Sequence, residues 1–296
     1  MLADYHVHSE FSDDSSYAAE DVCRDAIRHG LDEICFTDHV DYGVKPDWDE
    51  FRAGAASPRM EAHAGGREEP VLNVDYDRYF PTLEALRERY APLGHGSQLG
   101  GLSVKIGLEL GAQSCTLGQN RALVERYRDR MDFAILSIHQ VGNLEFWNGA
   151  FQRGRAQEEY NLAYYEEMLR VVEGFSGYSV LGHMDLIKRY DPAGIFPFER
   201  TRDITAAILE RVIADGHGIE VNTSSFRYGL PDLQPCTEIL KLYRDLGGRI
   251  ITIGSDSHKE AHLGAYIGMV RKRLAALGYT EYCTFNAWEP VFHPLA

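Results

Sequence analysis

The sequence predicts an α/β protein in which seven parallel strands alternate with helices along a chain of 296 residues. Short apolar runs alternate with longer amphipathic runs, and strict alternation of strand and helix implies a parallel sheet. The strand interiors are apolar and β-branched, which is typical of a sheet covered on both faces. Closed α/β barrels of this length commonly form a single domain.

The first unit sets the pattern that the rest of the chain repeats. The strand Leu2–His8 precedes Ser16–His29, where apolar pairs recur at the spacing of one helix face. Ser15 or Ser16 is expected to cap this helix, and Gly30 suits the position after its end. The remaining predicted elements are, in order, strand Glu33–Thr37, helix Tyr79–Tyr90, strand Val104–Leu108, helix Arg121–Arg130, strand Phe133–Ile138, helix Ala156–Val172, strand Tyr178–Leu181, helix Thr205–Ala214, strand Ile219–Val221, helix Thr237–Leu246 and strand Arg249–Ile253.

No low-complexity tract or linker divides the chain, so we expect residues 1–296 to form one barrel domain. One segment, from Asp41 to Asp75, is irregular and rich in glycine and proline. It follows the second strand and so lies at the end of the barrel where strand-terminal side chains gather. We expect either an insertion that forms part of a lid or a surface loop with no role in turnover.

The formal net charge of −15 bears on the partners of the protein. An acidic surface repels a phosphodiester backbone, and the sequence contains no cluster of lysine and arginine, so nucleic-acid binding is not expected. A small phosphorylated substrate remains compatible with this charge, because bound cations dominate the field of a metal site.

The five cysteines and the hydropathy pattern predict a cytoplasmic protein. The number of cysteines is odd and no CxxC spacing occurs, which favours reduced thiols. No apolar run reaches membrane-spanning length, and the start of the sequence leaves no room for a signal peptide before His6. We expect no membrane partner, and the oligomeric state stays open.

Six of the seven predicted strands end in a histidine or a carboxylate. On the first strand His6 and His8 alternate, so both face the same side. The carboxyl ends of parallel barrel strands converge, and buried imidazoles and carboxylates are costly without partners. These groups are the ligands that divalent cations such as Zn²⁺, Fe²⁺ and Mn²⁺ accept, so a metal site is predicted. The strand-end residues are His6, His8, Asp38, His39, Glu109, His139, His183, Asp256 and His258.

The motifs at these strand ends resemble those of the polymerase-and-histidinol-phosphatase (PHP) family, in the same order along the chain. The resemblance runs from residue 6 to residue 258 and implies a distorted (βα)7 barrel with a trinuclear metal site at its mouth. The motifs are His6-Val7-His8, Thr37-Asp38-His39, Gly107-Leu108-Glu109, Ser137-Ile138-His139, Gly182-His183 and Gly254-Ser255-Asp256-Ser257-His258.

The resemblance also implies a ligand set for each of up to three divalent ions. In many relatives the loop after the first strand supplies a histidine, whereas this chain offers Asp14 there, with Asp13 as the alternative. Asp38 is either an orienting partner of an imidazole or a turn residue. Catalysis is expected to depend on Asp256, Glu109 and His258. The implied ligands are His6, His8, Glu109 and Asp256 for the first ion, Glu109, His139 and His183 for the second, and His39, His258 and Asp14 for the third.

The resemblance implies a phosphoesterase, and the implied metal cluster suits this reaction, because bound cations lower the pKa of water and neutralise phosphoryl oxygens. The segment Asn222 to Arg227 resembles that of the histidinol phosphatases, although Ser225 stands where they have glycine. The resemblance therefore implies hydrolysis of L-histidinol phosphate, a step of histidine biosynthesis. Arg227 and Arg155 are candidate phosphate-binding residues, since guanidinium groups match phosphate oxygens.

Several other functions stay open. The chain could be a broad-specificity phosphoesterase, a protein-tyrosine phosphatase or a nuclease of the same family. An amidohydrolase is disfavoured because Glu109 stands where a bridging lysine is usual, and a purely structural metal site would favour thiolates. Selectivity for the leaving group would come from the 41–75 insertion, through side chains such as Tyr42 or Trp48.

Overall fold

Seven parallel strands form the central sheet and follow one another around it in chain order. The computed structural model describes residues 1–62, 68–91 and 101–295. Most of these strands have five residues or fewer and are buried, as the apolar runs predicted, whereas β3 has nine residues. The barrel strands are β1 (Ala3–Val7), β2 (Glu33–Phe36), β3 (Ser103–Gly111), β4 (Phe133–Ser137), β5 (Val180–Leu181), β6 (Gly218–Asn222) and β7 (Ile251–Gly254).

The sheet curls until it is nearly closed into a barrel. The first and last strands meet only through a parallel bridge between Val7 and Ser257, just beyond the end of β7. The His8 amide donates to the Ser257 carbonyl at 2.8 Å, and the Ser257 amide donates to the His6 carbonyl at 3.3 Å. The closing contact therefore lies at the carboxyl ends of the strands and ties the His6–His8 segment to the segment that carries Asp256.

Helices cover the outside of the barrel and bury their apolar faces against it. The predicted order of strand and helix is confirmed, because every β-strand but the last leads through a helix to the next strand. The helices are α1 (Ala19–Arg28), α2 (Tyr76–Tyr90), α3 (Leu117–Tyr127), α4 (Gln157–Gly174), α5 (Arg202–Ala214), α6 (Thr237–Asp245) and α7 (Ile267–Ala276). No helix in the described ranges is long and apolar enough to cross a membrane.

The chain also contains short elements besides the barrel strands and the main helices. The C-terminal hairpin (Glu281–Asn286 with Glu289–Pro294) and α7 were not predicted from the sequence. The 41–75 segment contains a short helix and a small hairpin, and its residues 63–67 lie outside the described residues. The short elements are strands His39–Val40, Met60–Ala62, Glu68–Pro70, Gln140–Val141 and Leu144–Glu145, helix Trp48–Arg52, and 3-10 turns Ser114–Thr116, Arg128–Arg130, Leu186–Tyr190, Phe198–Arg200, Thr223–Phe226 and Glu260–His262.

The two ends of α1 show where the prediction from the sequence held and where it was wrong. The helix begins at Ala19 without a side-chain cap, so Ser15 and Ser16 do not cap it. The Ser15 hydroxyl instead donates to the His258 carbonyl at 3.2 Å, and the Ala19 amide donates to the Glu10 carboxylate at 2.5 Å. Gly30 follows the last turn with φ +74°, as predicted, because glycine adopts this left-handed conformation without steric cost.

Candidate metal centre

One buried carboxylate, Glu109, lies at the centre of the predicted ligands. It stands inside β3, which runs past it to Gly111, rather than at the strand end as predicted. Its Oε2 atom faces three imidazoles and its Oε1 atom faces two. Oε2 lies 3.1 Å from His6 Nε2, 3.6 Å from His8 Nε2 and 2.9 Å from His39 Nδ1, and Oε1 lies 3.2 Å from His139 Nε2 and 2.9 Å from His183 Nε2.

A second carboxylate, Asp256, faces the other side of the cluster. Its Oδ1 atom lies 3.8 Å from His6 Nε2, 3.6 Å from His8 Nε2 and 3.7 Å from His258 Nδ1. Asp256 has φ +55°, a conformation that few residues other than glycine adopt. The Arg227 guanidinium donates to the carbonyls of Ser255 and Asp256 at 2.6 and 2.7 Å, and so holds this turn in the shape that directs Asp256 into the cluster.

The polar atoms of this cluster fit a set of bound cations. Buried polar atoms are normally hydrogen-bonded, and exceptions need an explanation. Within the described part of the chain, His6 Nε2, His8 Nε2 and Glu109 Oε2 form no hydrogen bond, and the same holds for His39 Nδ1 and His258 Nε2. Imidazole nitrogens and a carboxylate oxygen that converge without hydrogen bonds match the donor set of divalent cations such as Zn²⁺.

Several overlapping groups in the cluster could each hold an ion, so the centre can accept more than one. Two of them fall within predicted ligand sets. A third joins His8 of the first set to His39 and His258 of the third set, and a fourth includes Asp41, which was not among the ligands predicted from the sequence. The groups with ligand atoms mutually close are His6, His8 and Glu109; His8, His39 and His258; Glu109, His139 and His183; and His39, Asp41 and His139.

The structure separates the roles of Asp13 and Asp14. Asp14 Oδ2 lies 3.1 Å from His258 Nε2 and 3.6 Å from His39 Nε2. Asp13 faces away from these imidazoles and accepts from the Lys45 ammonium at 2.5 Å. Of the two carboxylates left open by the sequence, Asp14 therefore lies beside the third predicted pair of imidazoles.

Burial and the neighbouring charges set the protonation of the cluster. Burial opposes ionisation of Glu109, but His6 and His139 outweigh it and hold its pKa well below the ordinary value. Asp256 behaves in the same way, with burial outweighed by His6 and Arg189, so its pKa is also lowered. Burial lowers the pKa of His8, and His258 and His39 lower it further. The neighbouring carboxylates in turn outweigh burial and raise the pKa values of His6, His39, His139 and His258. Ionised carboxylates bind metal directly, whereas a cation must displace the protons of these imidazoles.

Hydrogen bonds at the Nδ1 atoms orient three imidazoles of the cluster. Glu220 Oε1 lies 2.6 Å from His6 Nδ1, and Asp41 Oδ1 lies 2.7 Å from His139 Nδ1. Each carboxylate accepts the Nδ1 proton, which leaves the Nε2 lone pair directed into the cluster.

The third oriented imidazole, His8, is held through a hydroxyl. Its Nδ1 atom lies 3.1 Å from the Ser12 hydroxyl, and Ser12 in turn donates to Asp38 at 2.7 Å. The buried Asp38 also accepts from the Ser9 amide at 2.7 Å. Of the two roles predicted for Asp38, the structure favours the orienting one. Asp38 acts on the His8 imidazole through Ser12 and does not contact it directly.

Two glycines make room for this arrangement. A Cβ atom on Gly111 would meet Asp41 Oδ1 at 1.7 Å, so the Asp41–His139 pair needs a glycine there. A Cβ atom on Gly254 would meet His6 Cβ at 2.3 Å and Glu220 Oε1 at 2.5 Å. The glycine that opens the Gly254-to-His258 motif is therefore required by the close approach of β1 and β7.

A cleft of about 340 Å³ opens above the cluster, and its wall carries an arginine that was not predicted from the sequence. Arg189 lies in the 3-10 turn after β5, with 4% of its side chain exposed. Its guanidinium contacts Asp256 Oδ2 at 3.1 Å, Asn222 Oδ1 at 3.3 Å, Gln234 Oε1 at 2.7 Å and the Ser224 hydroxyl.

The two arginines predicted to bind phosphate have other contacts. Arg227 is engaged by the Asp256 turn, and the Arg155 guanidinium donates to the Phe151 carbonyl and lies over the Phe151 ring. Neither is among the described residues that line the cleft. Arg155 and Arg227 therefore stay predictions as phosphate ligands, whereas Arg189 faces the cleft directly.

The 41–75 segment does border the cleft, but not through the predicted aromatic residues. Asp41, Lys45, Arg59 and Glu61 contribute to the lining. Tyr42 is buried, with its hydroxyl donating to Asp47 at 3.1 Å. Trp48 packs against Phe51 and Arg52, and neither Tyr42 nor Trp48 lines the described cleft. Their contact with a leaving group therefore stays a prediction that the shape of the cleft does not support.

Comparisons with known proteins agree with this architecture. Residues 4–224 match the protein family described as PHP domain. The chain is 28% identical to the histidinol-phosphatase of Lactococcus lactis over 96% of its length and 94% of that protein, and 27% identical to a probable histidinol-phosphatase of Thermotoga maritima over 95% and 94%.

Two solved structures share the fold. A crystal structure of histidinol phosphate phosphatase from Lactococcus lactis, complexed with zinc, L-histidinol and phosphate, superposes with a TM-score of 0.79 at 27% identity and covers 98% of both chains. A putative histidinol phosphatase from Listeria monocytogenes superposes with a TM-score of 0.71 at 22% identity, over 89% of this chain and 98% of that one.

Proposed function

Because the chain belongs to the PHP domain family, we propose that it is a metal-dependent histidinol-phosphatase that hydrolyses L-histidinol phosphate to L-histidinol and phosphate. One observation carries the proposal: imidazole nitrogens and a carboxylate oxygen converge without hydrogen bonds beneath a cleft whose wall presents a guanidinium. The similar Lactococcus structure, which binds zinc, L-histidinol and phosphate, supports the choice of substrate. The reaction is a step of histidine biosynthesis.

Within this proposal, the ligand sets are those predicted from the sequence. Two of the groups described above fall within the first and second sets, and Asp14 lies beside the imidazoles of the third set. The first ion would take His6, His8, Glu109 and Asp256, the second Glu109, His139 and His183, and the third His39, His258 and Asp14. Bound divalent cations would supply Lewis acidity to the phosphoryl oxygens and lower the pKa of water. Glu109 serves two sets, since its two oxygens face different imidazoles.

The protein itself would fix these ligands and hold the phosphate. Glu220 and Asp41 would keep His6 and His139 in the tautomer whose Nε2 lone pair can bind an ion. A guanidinium has five N–H donors, and four of those of Arg189 have acceptors in the described chain. The remaining Nη1 hydrogen is available to a phosphate oxygen, and Asp256 holds the group in place.

We also propose that the whole chain works as one barrel domain with the 41–75 segment as an insertion beside the cleft. A continuous hydrophobic core that includes residues from Val7 to Leu295 supports this. A cytoplasmic location is supported by five free cysteines, since reduced thiols persist in reducing compartments.

The test is phosphate release by zinc-, iron- or manganese-loaded enzyme from a panel of phosphomonoesters. We expect kcat/KM for L-histidinol phosphate to exceed that for p-nitrophenyl phosphate by at least about a hundredfold, because leaving-group contacts can add selectivity to the common phosphoryl chemistry. Similar efficiency toward both esters would indicate a broad-specificity phosphoesterase instead.

A further inference from the structure

The outer end of the cleft is formed by two segments that face each other across it. Arg59 and Glu61 come from the 41–75 insertion, and Glu145 and Trp147 come from the loop after β4. Arg59 joins the two segments, because its guanidinium contacts Glu145 through two nitrogens at 2.9 and 3.3 Å and Glu61 through Nε at 2.9 Å. We call these four residues the rim cluster.

The charges of the rim cluster do not balance. Two carboxylates share one guanidinium, so the four residues of the rim cluster carry a formal charge of −1. Glu145 is nearly buried and its oxygens are bound by Arg59 and by the Asn148 amide at 2.8 Å. Glu61 has 37% of its side chain exposed and a single ion pair, through Oε1, in the described chain. Glu61 Oε2 is therefore the carboxylate oxygen of the rim that is available to a cation.

An aromatic side chain lines the same cleft as Glu61. Trp147 is 54% exposed and lines the same cleft, although large aromatic side chains are seldom left this open. The Arg59 guanidinium lies 5.7 Å from the centre of its ring, which links Trp147 to the same cluster as Glu61. The outer cleft thus offers one anionic oxygen and one flat apolar face.

We propose that Glu61 and Trp147 select the leaving group, with Glu61 binding an ammonium group and Trp147 packing against a flat ring. The inference rests on the proposed function, because L-histidinol phosphate carries a primary ammonium on the carbon next to its ester CH2 group and an imidazole at the end opposite its phosphate. The ammonium is charged at neutral pH, whereas a free imidazole is mostly neutral. Arg59 is a positioning residue, since it holds Glu61 and does not itself attract a cation.

The test separates the two ends of the substrate by using the products as inhibitors. The assay measures hydrolysis of p-nitrophenyl phosphate by the zinc-loaded enzyme and determines Ki for two inhibitors. L-Histidinol lacks the phosphate, and inorganic phosphate lacks the leaving group. Glu61→Gln keeps the shape of the side chain and removes its charge. Glu68→Gln is the matched control, because Glu68 is exposed on the same hairpin and does not line the cleft.

We expect Glu61→Gln to raise the Ki of L-histidinol about tenfold, the effect of losing one charge-assisted hydrogen bond, while the Ki of phosphate changes less than about twofold. Trp147→Ala should lower kcat/KM for L-histidinol phosphate about threefold to tenfold through lost aromatic packing. The Glu68→Gln control should leave both Ki values unchanged.

The inference is overturned if Glu61→Gln leaves the Ki of L-histidinol unchanged, or if it raises the Ki of L-histidinol and of phosphate by the same factor. The proposed function fails in a different way, through a wild-type enzyme that does not prefer L-histidinol phosphate over p-nitrophenyl phosphate. If both variants keep the wild-type preference for L-histidinol phosphate over p-nitrophenyl phosphate, the roles of Glu61 and Trp147 are rejected while the proposed function stands.

Discussion

Glu220 gives the sharpest test of how the protein prepares its ligands. This carboxylate is fully buried, receives the His6 Nδ1 proton at 2.6 Å through Oε1, and receives the His183 amide at 2.9 Å through Oε2. Glu220→Gln changes one oxygen to an NH2 group of nearly the same size. If that NH2 group faces His6, it forces the proton onto Nε2, the atom that must bind an ion. If it faces His183, it meets the backbone N–H as a second donor.

Either outcome should weaken metal binding without unfolding the barrel. Loss of such an orienting partner typically costs about 10-fold to 100-fold in metal affinity, or about 1.4–2.8 kcal/mol. The assay is metal content per chain, with activity titrated against added Zn²⁺. Activity should return at high zinc concentration, and Glu210→Gln, an exposed carboxylate on α5, should behave as wild type. Wild-type zinc affinity in Glu220→Gln would refute the reasoning.

Three further predictions concern the metal centre. Glu109→Gln and Asp256→Asn should each reduce phosphatase activity at least about a thousandfold while the protein stays folded. Glu109→Gln should lose more metal, because the two oxygens of Glu109 face different imidazoles. Near-normal turnover in both variants would show that the ligand assignment is wrong. Arg189→Met should raise the Ki of inorganic phosphate, whereas Arg227→Ala should lower metal content because Arg227 holds the Asp256 turn. A changed phosphate Ki with full metal content in Arg227→Ala would instead make Arg227 the phosphate ligand. Removing the metal with a chelator should lower the melting temperature, and adding metal back should restore it, because ligand atoms without an ion are buried polar groups that destabilise the fold. An unchanged melting temperature would argue against bound metal in the folded protein.

The fold was largely predictable because alternation of strand and helix leaves few arrangements for a parallel sheet. All seven strands were found, with boundaries that shift by a few residues. The region after His258 was missed, since the prediction ended with the last ligand motif and assigned no element beyond β7. The C-terminal hairpin has alternate residues facing the barrel, and its Cys283 and Phe285 pack with Tyr5 of β1 in a second core cluster.

The residues predicted as ligands could be grouped from the sequence because most of them lie at strand ends, and strand ends converge. The structure brings these residues together, while their role as ligands stays a prediction. Their orienting partners gave weaker signals. Glu220 is a carboxylate in the middle of a short apolar strand, a position that requires a buried partner, and this could have been noticed. Arg189 and Asp41 lie in loops, where sequence spacing does not determine which way a side chain points.

The most direct test of the central claim is phosphate release from L-histidinol phosphate by one preparation, measured after complete metal removal and again after metal is added back. Imidazole nitrogens and a carboxylate oxygen converge in the cluster without hydrogen bonds. We therefore expect no detectable turnover without metal, and restored turnover when more than one metal ion is bound per chain. Full activity in the metal-free protein would contradict this account.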